Sequence, residues 1–360
     1  MAEISIKFAT NPLDVYEVLE TTKHDDQLML QSLDNPRLRD FSFRRMPQNY
    51  LVRNAKVLGM SNIILNSSGY ASLENVCFNP KVTDKVIDAS EDAFSSKGKQ
   101  IIFSSSTETS VNKAIFIGGH PNFGHWLFNH VARHCVIPDE LMKNAVFLVP
   151  SSLNENQTAM LKYLGIGERN IVYLKPGNLL NVKQLLIPQM PWHVITGLGV
   201  WWSPGVFSKL REKLGLNKGS LKNASRKIFL SRKKTKWRRL INEDQIYADL
   251  KKFGFEIIDI GSLKLRDQFA LGQETSCLIT PIGANSNFFL NLPTGAKVIE
   301  LAPPMDSMNV TGPFSEASGM IYRQIVGKAN NAPEIPIIDQ DYFLESSLLL
   351  NEYLSLVEKT

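Results

Sequence analysis

Residues 278–304 read LITPIGANSNFFLNLPTGAKVIELAPP, and this stretch indicates the fold of the second half of the chain. An apolar run ends at a Gly-Ala turn, a segment of helical length follows, and AKVIEL forms a second strand-like run. A strand, a helix and a strand in this order form a βαβ unit with parallel strands. Gly283 permits the tight turn between the first strand and the helix. The stretch therefore predicts part of a doubly wound sheet.

The same alternation extends upstream. KIFLS and FEIIDI are strand candidates, and each precedes a helical pattern, NEDQIYADLKKFG and LRDQFALGQ, before the strand SCLITP. Asn242 is placed to cap the first of these helices. We therefore predict a βαβαβαβ, Rossmann-like domain over residues 219–330. Residues 331–360 are predicted as a C-terminal segment whose amphipathic helix packs back on the body.

The first half, residues 1–218, is predicted as an N-terminal domain, with the boundary near Gly219. AIFIGG, AVFLVP, IVYL and QLLIP are strand candidates, with helical patterns between the first three. This alternation again predicts an α/β fold with a parallel sheet. The segment PWHVITGLGVWWSPGVF holds three of the five tryptophans and is predicted to be irregular.

The composition is that of a globular chain, with 43% hydrophobic and 21% charged residues among 360. The three cysteines are widely spaced, which fits a reducing cytoplasm better than a disulfide framework. No secretory signal and no membrane-spanning apolar run is visible, so we expect a cytoplasmic protein. The net charge of +5 is mild. It is concentrated in RKIFLSRKKTKWRR, residues 226–239, which could attract phosphate, nucleic acid or anionic lipid, or could be a solvated loop.

Three of the six histidines lie in NFGHWLFNHVARH, residues 122–134. As a regular helix this segment would place an apolar side toward the core and a polar face opposite. That polar face would carry His125, Trp126, Asn129, His130, Arg133 and His134. His125 directly follows an apolar strand and a Gly-Gly turn, at the edge of a sheet where ligands bind.

Three interpretations of these histidines compete. His130 and His134 have the i, i+4 spacing of a metal pair, but HVARH lacks the glutamate of HExxH and a third ligand, so we predict no metal. We interpret both as surface or packing residues. An imidazole with a pKa near 6.5 can accept a proton at neutral pH, so His125 is our candidate general base.

Two further segments offer groups that bind phosphate. Arg232 follows a buried strand, Arg238 lies a few residues on, and arginine forks bind phosphate oxygens. Beyond Gly283, the amides of Ala284 and Asn285 are expected to point into the same crevice. We predict that these groups bind a diphosphate.

Two acidic features have weaker interpretations. Glu300 ends the strand after the Gly-Ala turn, where its carboxylate could bind ribose hydroxyls or simply face solvent. The DQD sequence at Asp339–Asp341 matches the metal-binding DxD of some nucleotide-sugar enzymes, but we predict that it caps the terminal helix.

Together these segments resemble glycosyltransferase family 61. The family pattern has Asn-x-x-His-Trp, a strand ending in Ser-Arg, Arg-Arg-x-x-Asn-Glu, a Gly-Ala turn with a downstream Asn, and a strand ending in Glu-Leu. The matching positions are Asn122, His125 and Trp126; Ser231 and Arg232; Arg238, Arg239, Asn242 and Glu243; Gly283, Ala284 and Asn287; Glu300 and Leu301. The resemblance covers roughly residues 114–304.

This resemblance implies two Rossmann-like domains facing a cleft, the GT-B arrangement, and an inverting sugar transfer from a nucleotide-sugar donor without a required cofactor. It implies donor-diphosphate binding by Arg232, Arg238 and the turn at Gly283, Ala284 and Asn285, with Glu300 on the nucleoside and His125 on the acceptor side. Acceptor-side or structural support is assigned to Asn122, Trp126, Asn129, Asn242 and Asn287. We expect a glycan or lipid-linked glycan acceptor in bacterial surface (capsular) polysaccharide synthesis, with peripheral inner-membrane contact through the basic segment.

Two departures from the pattern matter. Family members often have an acid at the position of Asn129 and a histidine at that of Ile282. An inactive transferase homologue is therefore one alternative. Another is a non-catalytic binder of nucleic acid or polyanions that uses residues 226–239. We expect no nucleic-acid partner, because those basic residues lie on one loop rather than along a face.

Overall fold

The computed structural model divides the chain into two compact units. The first comprises Met1–Ser32 and Leu38–Phe207, and the second comprises Leu33–Arg37 and Ser208–Thr360. The residues described are 2–9, 17–19, 28–31, 41–43, 49–59, 63–72, 94–97, 100–195, 199–216, 221–304, 311–312, 315, 318–332, 334–335 and 339–358. The predicted boundary at Gly219 lies outside these residues, and the predicted three-part division stays a prediction.

The first unit is built on two sheets. Its strands are β1 (Ala2–Ala9), β2 (Glu17–Leu19), β3 (Leu28–Gln31), β4 (Phe41–Phe43), β5 (Asn49–Leu58), β6 (Ile64–Leu65), β7 (Tyr70–Ser72), β8 (Phe94–Lys97), β9 (Gln100–Ser105), β10 (Thr107–Phe116), β11 (Val146–Pro150), β12 (Ile171–Leu174), β13 (Asn178–Pro188), β14 (Trp192–Ile195) and β15 (Gly199–Trp202). The helices are α1 (Phe123–His125), α2 (Asp139–Met142) and α3 (Glu155–Tyr163), and α4 (Pro204–Lys213) follows at the boundary.

The larger sheet has the strand order β12-β11-β10-β13-β5-β6-β7-β1-β9-β8, with β2 paired to β5. The four strands β12, β11, β10 and β13 run parallel, as the alternating pattern predicted. From β13 onward the sheet continues with the antiparallel strand β5, which the sequence pattern did not indicate.

The tryptophan-rich segment was predicted to be irregular, and the structure shows that this is wrong. β14 and β15 pair antiparallel within a second sheet of order β14-β15-β3-β4. The physical reason is composition, because the runs WHVI and GVWW are rich in aromatic and β-branched residues, which favour strands.

The second unit contains the predicted Rossmann-like sheet. Strands β16 (Arg226–Leu230), β17 (Phe255–Ile258), β18 (Thr275–Pro281), β19 (Lys297–Ala302) and β20 (Ile321–Val326) are all parallel, in the order β17-β16-β18-β19-β20. Helices α5 (Glu243–Lys251) and α6 (Leu265–Glu274) lie between the first strands. β20 was not predicted, because its sequence IYRQIV mixes polar and apolar residues and lies at the sheet edge.

The segment after Gly283 is a 3₁₀ helix, Ala284–Asn291, rather than the expected α-helix. The side chain of Asn287 donates a hydrogen bond to the carbonyl of Ala284 at 2.9 Å. Side chains of this type compete with helical hydrogen bonds, which favours a tighter and shorter helix.

The C-terminal helix packs on the second unit, as predicted. After the hairpin β21 (Lys328–Ala329) and β22 (Tyr342–Phe343), α7 (Ser346–Glu358) buries Leu349, Tyr353 and Leu356 in the core cluster that includes Ile246 and Phe255. Among the helices that the structure describes, none is long and apolar enough to cross a membrane.

Candidate functional site

The end of β16 is held by a buried carboxylate. Glu243, the first residue of α5, accepts a hydrogen bond from the Ser231 hydroxyl at 2.5 Å and from the Arg232 amide at 3.0 Å. A carboxylate at a helix N-terminus is also stabilised by the helix dipole. Two parts of the sequence pattern, Ser231-Arg232 and Asn242-Glu243, are therefore joined in the structure. Glu243 fixes the backbone position of Arg232 just after the end of β16.

The guanidinium of Arg232 lies directly against the backbone of Gly283. A Cβ added at Gly283 would be 2.1 Å from Nη1 of Arg232. Nη2 donates to the Trp237 carbonyl at 3.1 Å, whereas the buried Nε has no hydrogen-bond partner among the described residues. Burial, and after it the charge of Arg238, lowers the pKa of Arg232 to about 10. The side chain thus stays charged at neutral pH although it is almost fully buried.

Gly283 is favoured by its backbone conformation, and a side chain there would displace the guanidinium of Arg232. Its φ of 147° lies in a region that residues with a side chain avoid. Its amide donates to the Ser286 hydroxyl at 3.1 Å, and the Ser286 amide donates to the Gly283 carbonyl at 3.0 Å. The side chain of Asn285 donates to the Ser231 carbonyl at 3.1 Å, which joins the turn to the end of β16.

We expect Gly283→Ala to destabilise the second unit by about 1–3 kcal/mol, since it combines backbone strain with a clash. Chemical denaturation followed by circular dichroism measures this free energy of unfolding. Gly261→Ala is a matched control, because a Cβ there would meet its nearest atom at an ordinary 3.5 Å. If Gly283→Ala and Gly261→Ala had the same free energy of unfolding, the close packing of Arg232 on the turn would be contradicted.

Arg238 adds a second guanidinium to this corner. Its backbone has a φ of 58°, in the left-handed region, and its side chain is 23% exposed. Its Nε lies 3.9 Å from Oδ1 of Asp339, an ion pair without a hydrogen bond. The charge of Arg238 contributes to the lowered pKa of Arg232, as expected for two nearby like charges. Two guanidinium groups beside a glycine turn form an arrangement suited to an anion with several oxygens.

Most other cations of residues 226–239 already have partners. The ion pairs are Arg226 with Glu256 and Glu274, Lys233 with Asp244, Lys234 with Asp259, and Arg239 with Asp341. Within the described part of the chain, Arg232 is the arginine of this segment whose guanidinium has no carboxylate within 4 Å. Because these ion pairs offset most of the positive charge of the segment, they argue against a nucleic-acid-binding surface there.

Glu300 is completely buried, so the alternative of a solvent-facing strand end is wrong. Its Oε2 accepts hydrogen bonds from the Tyr322 hydroxyl at 2.7 Å and from the Gln324 side chain at 3.2 Å. Burial raises the pKa of this carboxyl, and hydrogen bonds, including one from Ser286, oppose the rise. Tyr322 and Gln324 were missed by sequence reasoning, although their i, i+2 spacing on a strand is the signal that places them on one face.

The histidine segment of the first unit is helical in three short pieces, α1, a π-helical turn over residues 126–130 and a 3₁₀ helix over residues 131–135. Asn122 caps the first piece, accepting from the amides of Gly124 at 2.8 Å and His125 at 3.4 Å. The predicted polar face is wrong. Trp126, Asn129, His130, Arg133 and His134 are all buried. Changes of helix type shift the angle between successive side chains, so a projection at 100° per residue does not apply.

His125 is half-buried and has a defined neighbour on its own helix. Its Nδ1 lies 3.2 Å from Oδ1 of Asn129, within hydrogen-bond distance. If Nδ1 donates to this oxygen, Nε2 is the ring atom that can accept a proton. Asn129, which stands where the resemblance leads us to expect an acid, is thus the neighbour of this ring nitrogen.

His130 is a packing residue. It is fully buried, and its Nδ1 is 3.2 Å from the carbonyl oxygen of Ile117. Burial, followed by the charge of Arg133, lowers its pKa well below 6.5. In the described residues, no group of three or more His, Cys, Asp or Glu side chains is arranged to hold a metal.

His120 gives the first unit a predicted pH dependence. Burial and, next, the charge of His125 lower its pKa to about 4. Between pH 6.5 and 4 the unfolded chain therefore binds more protons at this position, so stability should fall as the pH falls through that range. We expect His120→Asn to make the melting temperature less dependent on pH there. An unchanged dependence would contradict a neutral His120 in the folded protein.

The sequence also matches a known protein family. The model of the family described as Glycosyltransferase 61 matches residues 123–299, close to half of the chain. The chain belongs to glycosyltransferase family 61. Membership implies glycosyltransferase activity. No curated protein matches the chain. The matched range contains His125, Arg232, Arg238 and Gly283 and ends one residue before Glu300.

In this family 61 glycosyltransferase the DQD sequence does not cap a helix, so that prediction is wrong. Asp341 instead accepts hydrogen bonds from Arg239, from the amide at 2.8 Å, Nε at 2.9 Å and Nη2 at 2.6 Å. α7 begins only at Ser346. The carboxylate binds the arginine because hydrogen bonds to a charged guanidinium are stronger than a cap to neutral amides.

Asn242 stands at the N-cap position of α5, but its side chain makes no capping bond. Its Nδ2 donates to the Leu344 carbonyl at 2.8 Å, and its Oδ1 accepts from the Leu344 amide at 3.2 Å. The predicted cap is therefore wrong, and Asn242 ties the loop after β16 to the segment before α7. Its predicted structural role in the family 61 site remains a prediction.

Proposed function

We propose that this chain is an inverting glycosyltransferase that moves a sugar from a nucleotide-sugar donor to a hydroxyl of a glycan or lipid-linked glycan. The observation that supports it best is the corner formed by Arg232, Arg238 and Gly283 in the second unit. Arg232 is held by the fold itself, since its amide bonds to Glu243 and its side chain packs on the glycine. A preorganised pair of guanidinium groups is suited to the diphosphate of such a donor.

In this proposal the donor diphosphate lies against Arg232 and Arg238, with the amides of Ala284 and Asn285 beside it. Negative charge grows on the diphosphate as the bond to the sugar breaks. Fixed cations and amides stabilise that charge without reorganising during the reaction. These groups supply the needed positive charge, so the proposed reaction uses no metal cofactor.

His125 of the first unit is the proposed general base. Nε2 would accept the proton of the acceptor hydroxyl, whose oxygen attacks the anomeric carbon on the side opposite the leaving diphosphate. Attack from that side inverts the configuration. The two units would then act as acceptor and donor halves of a GT-B enzyme.

We propose that Glu300 supports the Gly283 turn, through its hydrogen bond from Ser286, and does not bind the ribose. Its carboxylate is fully buried and already accepts hydrogen bonds from Tyr322 and Gln324. The ribose of a bound nucleotide cannot reach the Glu300 carboxylate, because this side chain has no exposed surface. Asn287, Asn242 and Asn122 likewise make internal hydrogen bonds that support the segments around the two candidate sites.

We propose a role in bacterial surface polysaccharide synthesis, at the cytoplasmic face of the membrane. The paired cations of residues 226–239 predict at most weak attraction to anionic lipid. Sedimentation with vesicles containing phosphatidylglycerol, at low and high salt, measures this association.

A thermal-shift screen with nucleoside diphosphates and nucleotide sugars tests the function, because a ligand that binds the folded form raises the melting temperature. We expect one nucleotide class to raise it in the wild type and not in Arg232→Ala. Sugar transfer or donor hydrolysis with that nucleotide sugar then separates an active enzyme from an inactive homologue. If none of the nucleotides shifts the wild type, the donor site is wrong.

A further inference from the structure

The DQD segment of the second unit holds the loop that carries Arg238. Asp341 accepts three hydrogen bonds from Arg239, at its amide, Nε and Nη2. Backbone bonds continue the contact, since the Tyr342 amide donates to the Arg239 carbonyl at 3.0 Å and the Ile241 amide to the Tyr342 carbonyl at 2.8 Å. Arg239 is therefore fixed to this segment by side chain and backbone together.

This attachment acts on the backbone of Arg238, the preceding residue. The φ of 58° at Arg238 is a conformation that a residue with a side chain keeps only where surrounding bonds hold it. The Arg238 amide donates to the Asp339 carbonyl at 3.3 Å. Its side-chain Nε is buried and has no hydrogen-bond partner among the described residues. The bonds to residues 339–342 thus fix the backbone from which the Arg238 side chain extends.

The carboxylate of Asp339 relates to Arg238 differently. Its Oδ1 is 3.9 Å from Nε of Arg238, beyond hydrogen-bond distance. An ion pair of this length offsets part of the charge of Arg238 without fixing the direction of its guanidinium. A phosphate that approaches Arg238 has to compete with this carboxylate.

We propose that Asp341 is a positioning residue for Arg238, acting through Arg239, and that Asp339 competes with the donor diphosphate for Arg238. This inference rests on the proposed function, because it takes Arg238 as a diphosphate ligand. Two acids of one short motif would then have opposite effects on the same site, one favouring and one limiting diphosphate binding.

Whether Asp341→Asn weakens or tightens anion binding distinguishes a positioning role from a purely electrostatic effect of the lost charge. Replacing either aspartate by asparagine removes one negative charge near the site, and charge alone predicts tighter anion binding in both variants. Positioning predicts that Asp341→Asn weakens binding instead. Asp244→Asn is the matched control, because Asp244 pairs with Lys233 of the same loop and does not contact Arg238 or Arg239 in the described structure.

Isothermal titration of the full chain with inorganic pyrophosphate tests this at moderate salt. We expect Asp341→Asn to weaken binding about tenfold, the typical effect of losing charged hydrogen bonds. Asp339→Asn is expected to tighten it about two- to fivefold, the range of an exposed ion pair. Arg239→Gln should weaken binding as Asp341→Asn does, and the double variant should be no weaker than either single one.

The outcomes are distinct. If the wild type does not bind pyrophosphate, the anion site fails, and the proposed function and this inference fail together. If the wild type binds and Asp341→Asn binds equally well or better, the positioning role is overturned while the site stands. If Asp341→Asn does not fold by circular dichroism, Arg239→Gln tests the same contact. Weaker binding in Asp339→Asn would overturn the competing role.

Discussion

Arg232→Ala is expected to lower the rate of sugar transfer about a hundredfold to a thousandfold, the effect of removing one fixed donor from a developing negative charge. The reason is geometric, since this guanidinium is buried, packed on Gly283 and without a carboxylate within 4 Å among the described residues. Steady-state turnover with the donor found by the thermal-shift screen measures the effect. Arg232→Lys keeps the charge and loses the fork, so it should retain part of the activity.

Arg226→Ala is the matched control for this prediction. It removes an arginine from β16, the strand that precedes Arg232, but this arginine is paired with Glu256 and Glu274 and is partly exposed. We expect its turnover to stay within about threefold of the wild type, because a surface ion pair contributes little. Near-normal turnover of Arg232→Ala, with folding intact, would contradict its assignment to the diphosphate.

His125→Gln is expected to lower kcat about a hundredfold or more, with donor binding unchanged, because general base catalysis contributes effects of this size. Turnover and donor titration of the same protein sample separate the two quantities. Weaker donor binding with kcat unchanged would show that His125 is not the base.

Asn129→Asp provides a second test of His125. A carboxylate at this position would lie within hydrogen-bond distance of Nδ1 and would stabilise the protonated imidazole, which raises its pKa. Because the base must be unprotonated, the acid limb of the pH profile of kcat should then move to higher pH. A profile that does not move would contradict the contact between the two side chains during catalysis.

The Rossmann-like sheet of the second unit could be predicted because its strands are short, apolar and separated by helices with clear ends. The corner at Gly283 could also be predicted, since the strand ends and the Gly-Ala turn stand in the sequence at the positions where a parallel sheet brings them together. β20 could not, because Arg323 and Gln324 interrupt its apolar pattern. The antiparallel extension from β13 to β5 depends on contacts between residues far apart in the sequence, which periodicity does not encode.

The side-chain partners were harder to predict than the strands. Helical periodicity gave the segment around His130 a polar face, but π and 3₁₀ turns rotate those side chains into the core. Asp341 and Asn242 have the residue types of helix caps, and tertiary contacts with Arg239 and Leu344 occupy them instead. Propensity describes what a residue can do locally, and a stronger partner elsewhere in the fold decides which contact forms.

The most direct test of the diphosphate site is a crystal structure with the nucleoside diphosphate that gives the largest thermal shift. We expect phosphate oxygens within about 3.2 Å of the guanidinium groups of Arg232 and Arg238, the distance of charged hydrogen bonds, with the backbone of residues 283–285 beside them. A diphosphate bound in good density elsewhere, with Arg232 and Arg238 making no contact to it, would show that these arginines do not form the donor site.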